Sequence, residues 1–381
     1  MFLRKAIAIL FGASTGVVLG ASPAALLQNA QGPTAKQLSL VKAKLKETAT
    51  HSWELGTETE TYLEYDWAPT SVFGNNPIPP PHRLPSNQNL SNVFAITEQI
   101  MKLRAPDAET LFEDTAAGDP ASLGVAVLLG NWTNANWSSY GDAATKQLNY
   151  LLYKAPRGSD GVISHRTEQV QLWSDSVYMV PPFLAYYAAL QGNKTLLKES
   201  YTQIQLYRSH LRDPATGAWR HILEGSWNDP GLWSTGNGWA AMGMLRVYQT
   251  ILNSKFSNEF SRERKDLITW SYDIVKAMVP YQQSNGTFLN YLAQPSSFAE
   301  SSATALFAAV IYRLAAITPS AGVFLPYAEK ARKLIARSIS PDGYLLNVVN
   351  PNDFALRGDI SPEGQAFVLM MEAARRDYLA D

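Results

Sequence analysis

No cysteine occurs anywhere in the 381 residues, which excludes disulfides, thiolate nucleophiles and cysteine-held metals. A chain this long can bury enough apolar surface to fold without such staples. Histidine is nearly as scarce, with five in all; no two are spaced as His-x-x-x-His and none completes a Glu-linked zinc motif, so no metal is expected. Period-2 alternation of apolar and polar residues is rare, and without strands there is no strand-borne Gly-rich phosphate loop. Beyond the N-terminal leader there is no Gly-x-Ser-x-Gly elbow to carry a serine nucleophile. The chain is therefore read as working without a cofactor.

Net charge is also missing. Lys plus Arg at 32 nearly cancels Asp plus Glu at 33, so nothing marks a surface for nucleic acid or an anionic membrane, and the expected partner is a neutral or modestly charged small molecule. No Pro/Gly/Ser-rich linker divides the chain, and residues 25–381 read as one domain, taken as a monomer. Long apolar runs are absent except at the start, where basic MFLRK precedes AIAILFGASTGVVLGASPAA. A basic end, an apolar stretch of about fifteen residues and a small-residue exit form the pattern of a secretory signal peptide. The stretch is short for a membrane span and broken by Gly12, Ser14, Thr15 and Gly16; an uncleaved anchor is the competing reading. Residues 1–24 are expected to be a signal peptide, cut between Ala21 and Ala25, leaving a secreted protein free of the membrane. Asn-x-Ser/Thr triplets at Asn89, Asn131, Asn136, Asn193 and Asn285 fit a glycoprotein, though such triplets also arise by chance.

What the sequence does have is helical periodicity. Apolar residues recur at helix spacing near 36–54, 88–104, 121–130, 142–154, 174–191, 195–211, 236–254, 259–280, 301–317, 324–338 and 361–379. The breaks between them are rich in Gly, Pro, Asn and Asp, as in NDPG at 228–231 and SPDG at 340–343. One further helix at 58–73 would make twelve. Periodicity by itself says all-α and large.

Two aromatic clusters mark places where a ligand could sit. Trp219, Trp227, Trp233 and Trp239 lie close in sequence to His221, Asp229 and Asn237, a mixture suited to stacking on sugar rings. Trp132, Trp137 and Tyr140 form a smaller group. Core filling is the plainer explanation for any one tryptophan, but the loop setting and adjacent glycines favour a pocket wall for Trp233 and Trp239. Asp119 before Pro120 reads equally well as a helix N-cap with proline at N1, and Asp175, after Trp173 and Ser174, could cap a helix too. Glu300 and Glu363 read as helix-start residues that meet the positive end of a helix dipole.

The segment QLWSDSVYMVPPFLAYY at 171–187 and, about fifty residues later, LWSTGNGWAAMGMLRV at 232–247 resemble two signatures of the unsaturated glucuronyl and rhamnogalacturonyl hydrolases, glycoside hydrolase families 88 and 105. GDPASLG at 118–124, ISHR at 163–166, RHILEG at 220–225, FAESSATALFAAVIYR from 298 and SPEGQAF from 361 are similar to further family segments in the same order. The resemblance implies a six-hairpin (α/α)6 barrel. It also implies Asp175 as the catalytic acid, Asp119 as a second active-site aspartate, and His165 and His221 as active-site histidines. Arg166, Trp173, Trp233, Thr235, Asn237 and Trp239 are the remaining substrate-contact candidates. The family does not hydrolyse directly: an acid protonates C4 of an unsaturated uronic acid, water adds at C5, and the hemiketal collapses to release the aglycone. The expected partner is then an oligosaccharide derived from pectin.

One departure bears on the substrate. Family members usually carry an arginine in a Trp-Ala-Arg-Gly-Asn-Gly-Trp run, where it helps hold the sugar carboxylate; here the run is Trp233, Ser234, Thr235, Gly236, Asn237, Gly238 and Trp239. A threonine cannot replace a planar guanidinium fork. Either Arg166 or Arg220 supplies the charge, or the substrate differs. Hydrolysis of a saturated glycoside by Asp119 and Asp175 as an acid and base pair, and a non-catalytic sugar-binding barrel, stay open as alternatives.

Overall fold

The stretch SWELGTETETYLEY has no apolar stripe, yet it forms a helix buried on every side, Ser52–Tyr65. Two of its glutamates, Glu60 and Glu64, are matched by arginines from across the fold. Glu64 lies between Arg246 and Arg313, the latter at 2.8 Å, and Glu60 pairs with Arg246 at 2.6 Å. Removing Arg246 would strand the buried Glu60 carboxylate, which is strongly destabilising. This helix is the twelfth, placed by sequence at 58–73, and it begins earlier than expected. Counting apolar faces misplaces it because its polar positions are satisfied by partners far along the chain. The first predicted helix, 36–54, is in fact two elements: the backbone N–H groups of Thr50 and His51 donate to Glu54 Oε2 at 2.7 and 2.9 Å, which ends one helix and starts the next.

The computed structural model describes residues 31–134 and 137–380. The leader 1–24 and Asn136 lie outside them. Among the described residues there are twelve α-helices: α1 Ala35–Thr48, α2 Ser52–Tyr65, α3 Ser91–Leu103, α4 Gly124–Thr133, α5 Ser138–Tyr153, α6 Ser176–Gln191, α7 Lys194–Leu211, α8 Ser234–Asn253, α9 Ser261–Met278, α10 Ser301–Ile317, α11 Leu325–Ser338 and α12 Pro362–Ala380. A 3-10 turn, Asp119–Leu123, leads into α4. None of these helices is long and apolar enough to cross a membrane.

The even-numbered helices form an inner ring. α2 packs on the turn before α4, that turn on α6, α6 on α8, α8 on α10, α10 on α12, and α12 closes on α2. Their sequences fit the position, since α6, α8, α10 and α12 are buried along nearly their whole length and a helix apolar all round must lie inside. The odd-numbered helices α7, α9 and α11 bury only one face, and each packs beside an inner neighbour. This is the (α/α)6 arrangement expected. Three two-stranded ribbons cluster near the inner-helix N-termini: β1 Leu172–Trp173 with β2 Ile222–Leu223, β3 Phe288–Leu289 with β4 Ala299–Glu300, and β5 Val348–Asn350 with β6 Asp353–Gly358.

Candidate active site

Because consecutive inner helices run in the same direction, their N-terminal turns meet at one end of the barrel. There they line a pocket of about 350 Å³, with Trp53 from α2, Asp119 from the turn before α4, Asp175 at the head of α6, Thr235 from α8, Ser302 from α10 and Glu363 from α12. Six converging helix starts give the pocket a positive background field. Against it stand the carboxyl groups of Asp114, Asp119, Asp175 and Glu363, with Arg166 as the guanidinium in the wall.

Asp119 does not cap a helix. It opens the 3-10 turn, its side chain makes no capping bond, and Oδ1 is buried without a hydrogen-bond partner, 3.8 Å from His165 Nδ1. Burial, reinforced by the charges of Asp114 and Asp175, raises its pKa well above the usual carboxylate range, which favours its neutral form. His165 Nδ1 lies 2.8 Å from Ser176 Oγ, and its ring stacks on Trp173 at 4.6 Å. Burial pulls its pKa down to about 4.

Asp175 occupies the N-cap position of α6 but also makes no cap bond; it accepts from Ser174 Oγ at 3.1 Å and turns to the pocket. His221 stands beside it, with Nδ1 2.8 Å from Asp229 Oδ2 and Nε2 3.9 Å from Asp175 Oδ2. The second distance is an ion-pair contact beyond hydrogen-bond length, and Nε2 is left without a partner. Burial opposes a charge on His221, but the carboxylates of Asp175 and Asp229 outweigh it and raise its pKa. Asp229 is itself held by the Tyr291 hydroxyl.

The aromatic walls are fixed by hydrogen bonds at their polar edges. Trp173 Nε1 donates to Gln171 Oε1 and Trp233 Nε1 to Asn290 Oδ1, both at 2.8 Å. Trp239 lines the pocket while packing on Tyr178 and Phe367. Thr235 also lines it, its hydroxyl 3.5 Å from Glu300 Oε2. Arg166 reaches the wall with Nε bound to Glu168 at 3.0 Å.

Other expectations fail. Asn237 is buried under the wall: Nδ2 donates to the carbonyls of Trp219 and Trp233, and Oδ1 accepts from Trp219 N at 2.7 Å. Its hydrogen-bonding capacity goes to fixing those tryptophans, so it is not a substrate contact. Arg220 is paired with Asp213 at 2.9 Å and is not among the pocket-lining residues. The group at Trp132, Trp137 and Tyr140 packs against His82, Phe94 and itself, away from the pocket. Trp219 is core.

Sequence reasoning also missed part of the wall. Trp53, Asp114 and Phe354 carry no motif of their own, and Ser302 sits inside the segment from Phe298 with nothing in that pattern to single it out. Phe354, on β6, stands edge-on to His221 at 4.5 Å because the β5–β6 hairpin folds over the opening, a contact no local pattern reveals. Glu300 does act at a helix start, accepting from the N–H groups of Ser302, Ala303 and Val349. Glu363 also lies in the first turn of its helix, where it accepts from Trp53 Nε1 and faces the pocket.

The profile described as Glycosyl Hydrolase Family 88 matches residues 92–353. The chain is 25% identical over 219 residues to the unsaturated rhamnogalacturonyl hydrolase YesR of Bacillus subtilis, a match spanning 55% of this chain and 60% of that relative. In fold it is similar to a possible member of family GH105 from Salmonella enterica serovar Paratyphi A, with a TM-score of 0.72 at 17% identity over 98% of this chain and 99% of the other. A family 88 glycosyl hydrolase from Bacteroides vulgatus gives 0.64 at 15% identity, covering 91% and 99%.

Proposed function

Since the chain belongs to glycoside hydrolase family 88, we propose that it releases a terminal unsaturated uronic acid from rhamnogalacturonan-type oligosaccharides by hydrating the C4–C5 double bond. The observation that carries this reading is the pair of aspartates in one pocket with opposite surroundings. Asp119 is buried with Oδ1 unpartnered, and burial with the charges of Asp114 and Asp175 raises its pKa, while Asp175 faces the cavity 3.9 Å from His221 Nε2. The carboxyl that faces the cavity is the one placed to pass a proton to the substrate, and its buried neighbour is placed to hold the sugar.

In this reading Asp175 gives its proton to C4, which leaves positive charge shared between C5 and the ring oxygen. Asp175, now a carboxylate, takes a proton from the water that adds at C5. The hemiketal so formed opens, and the aglycone leaves. Asp119, as a neutral acid, donates to a sugar hydroxyl and adds no second negative charge beside Asp175. His221, oriented by Asp229, offers Nε2–H to the Asp175 carboxylate as it forms. Trp173, Trp233 and Trp239 present faces and edges to the ring. The N-terminal leader supports secretion, which fits an enzyme that meets fragments of plant cell wall outside the cell.

The experiment is to incubate the protein with lyase-digested pectin and follow the ultraviolet absorbance of the conjugated double bond. Loss of absorbance supports hydration. Release of reducing ends with absorbance intact would instead favour hydrolysis of a saturated glycoside, a reading that draws on Thr235 at the arginine position and on four carboxyl groups in the pocket wall.

A further inference from the structure

Where α10 and α12 begin, two groups point into the pocket and take no part in the steps above. Ser302, 1% exposed, lines the cavity, and its Oγ has no hydrogen-bond partner. It lies near the Glu300 carboxylate without reaching hydrogen-bond geometry, and that carboxylate accepts from the amides of Ser302, Ala303 and Val349. Glu363 lies next to it. A Cβ at Gly364 would fall 2.6 Å from Ser302 Oγ, so the first turns of the two helices touch there. Trp53 Nε1 donates to Glu363 Oε1, and Ser361 Oγ donates to Oε2 at 3.1 Å. Each oxygen thus accepts one bond and keeps a further lone pair or proton site for the pocket that the residue lines.

We propose that the Glu363 carboxyl and the Ser302 hydroxyl together hold the carboxylate of the substrate sugar, doing the work of the arginine that position 235 lacks. This inference rests on the proposed uronide substrate. Thr235 is short, so it leaves open the wall between α8, α10 and α12 that a guanidinium would fill. A carboxylic acid facing a carboxylate makes a charge-assisted O–H···O⁻ bond, among the stronger hydrogen bonds available to a protein. A second donor from serine satisfies the other side of the anion.

Burial shifts Glu363 toward its protonated form against the hydrogen bonds from Trp53 and Ser361. Burial, then the charge of Glu54, raises it to about 7, and an arriving carboxylate raises it further. The charged groups on the elements packed around it are Glu54 with its partner His51 on α2, Asp114 and Asp119 ahead of α4, and Glu300 ahead of α10. On α1, Lys42 is bound to Asp66 and Lys44 to Glu47. Below its pKa Glu363 donates to the substrate; above it, two carboxylates repel. Affinity for the uronide therefore falls as pH rises.

The test measures calorimetric binding of an unsaturated digalacturonide and of its methyl ester to Asp175→Asn, which removes turnover. The acid should bind about tenfold more weakly at about pH 8.5 than at about pH 6, and the ester equally at both. Adding Glu363→Gln, whose amide donates at every pH, should flatten the profile for the acid. This comparison isolates Glu363 from His221, which titrates in both proteins. Adding Ser302→Ala should weaken the acid about fivefold and leave the ester unchanged. An unaltered pH slope in the glutamine variant, equal losses for acid and ester, or no binding of the acid at any pH overturns the proposal. The reading of the reaction fails separately, if wild type leaves the absorbance of the digalacturonide unchanged.

Discussion

His221 Nε2 stands 3.9 Å from Asp175 Oδ2, and the far side of the same ring is fixed by Asp229 at 2.8 Å. The imidazole is thus oriented by one carboxylate and aimed at another. Trp233 lies 4.3 Å from its centroid and Phe354 4.5 Å, which keeps water from competing for Nε2. Nε2 is thus placed beside the Asp175 carboxylate that forms once C4 has been protonated.

Asp229→Asn should lower the His221 pKa, since burial then acts against one carboxylate fewer. The sign for stability follows from linkage. His221 has a folded pKa raised above its unfolded value of 6.5, so its contribution is fully present below pH 6.5 and is lost as pH rises through the folded pKa. The Tm difference between wild type and Asp229→Asn should be largest near pH 6 and shrink toward pH 9. Titration of the His221 ring protons by NMR checks the cause directly; an unchanged pKa would detach Asp229 from this role.

Asp175→Asn keeps shape and removes the proton donor. Turnover on an unsaturated uronide should fall by a factor on the order of 10² to 10⁴ or more, with Tm little changed because Asp175 makes no cap bond. A variant that keeps a third of wild-type activity would take Asp175 out of the reaction.

For Asp119, Asp119→Ser separates two accounts. Serine is nearly as good a cap as aspartate, so a capping residue would survive the change in both activity and stability. The described geometry shows no cap bond and an unpartnered buried oxygen. Turnover should therefore drop steeply, while Tm holds or rises as a buried acid is relieved of its desolvation cost. Intact turnover would return Asp119 to the structural account.

The twelve-helix barrel was legible because its elements obey local rules: apolar periodicity, turn residues in the breaks, and motif order. The helix that resisted, α2, is held by Glu60 and Glu64 meeting Arg246 and Arg313, contacts about 180 to 250 residues away that periodicity cannot register. The site divides in the same manner. Asp119, His165, Asp175 and His221 sit in distinctive motifs, and the structure brings them together. Asn237 sits in an equally distinctive motif, yet it faces inward and holds Trp219 and Trp233; a motif marks a position without saying which way the side chain points. Ser302, Glu363 and Phe354 reach the pocket only because six helix starts and one hairpin converge there.

The two arginines once interchangeable as substitutes for the missing guanidinium are now distinct. Arg166 lines the pocket, with Nε tied to the exposed Glu168 and its terminal nitrogens not bound to that partner. Arg220 is held by Asp213 and contributes nothing to the wall. An arginine within reach of a substrate carboxylate in a partly dry cavity commonly contributes about 2 kcal/mol or more to binding when its partner is desolvated. Arg166 keeps solvent contact, so its contribution falls below that, to about 1.4 kcal/mol, a tenfold change. Arg166→Gln should accordingly raise KM for an unsaturated uronide about tenfold while leaving kcat within about twofold, because the charge is bound alike in ground and transition states. The methyl ester of the same uronide should show no such change, and Arg220→Gln should leave both substrates at wild-type KM. If Arg220→Gln weakens uronide binding as much as Arg166→Gln, the Arg220–Asp213 pair opens on binding and the pocket wall differs from the one described; if neither does, the carboxylate is held by Glu363 and Ser302 alone or is not recognised at all, and the methyl ester decides between those two by binding more weakly than the acid or equally well.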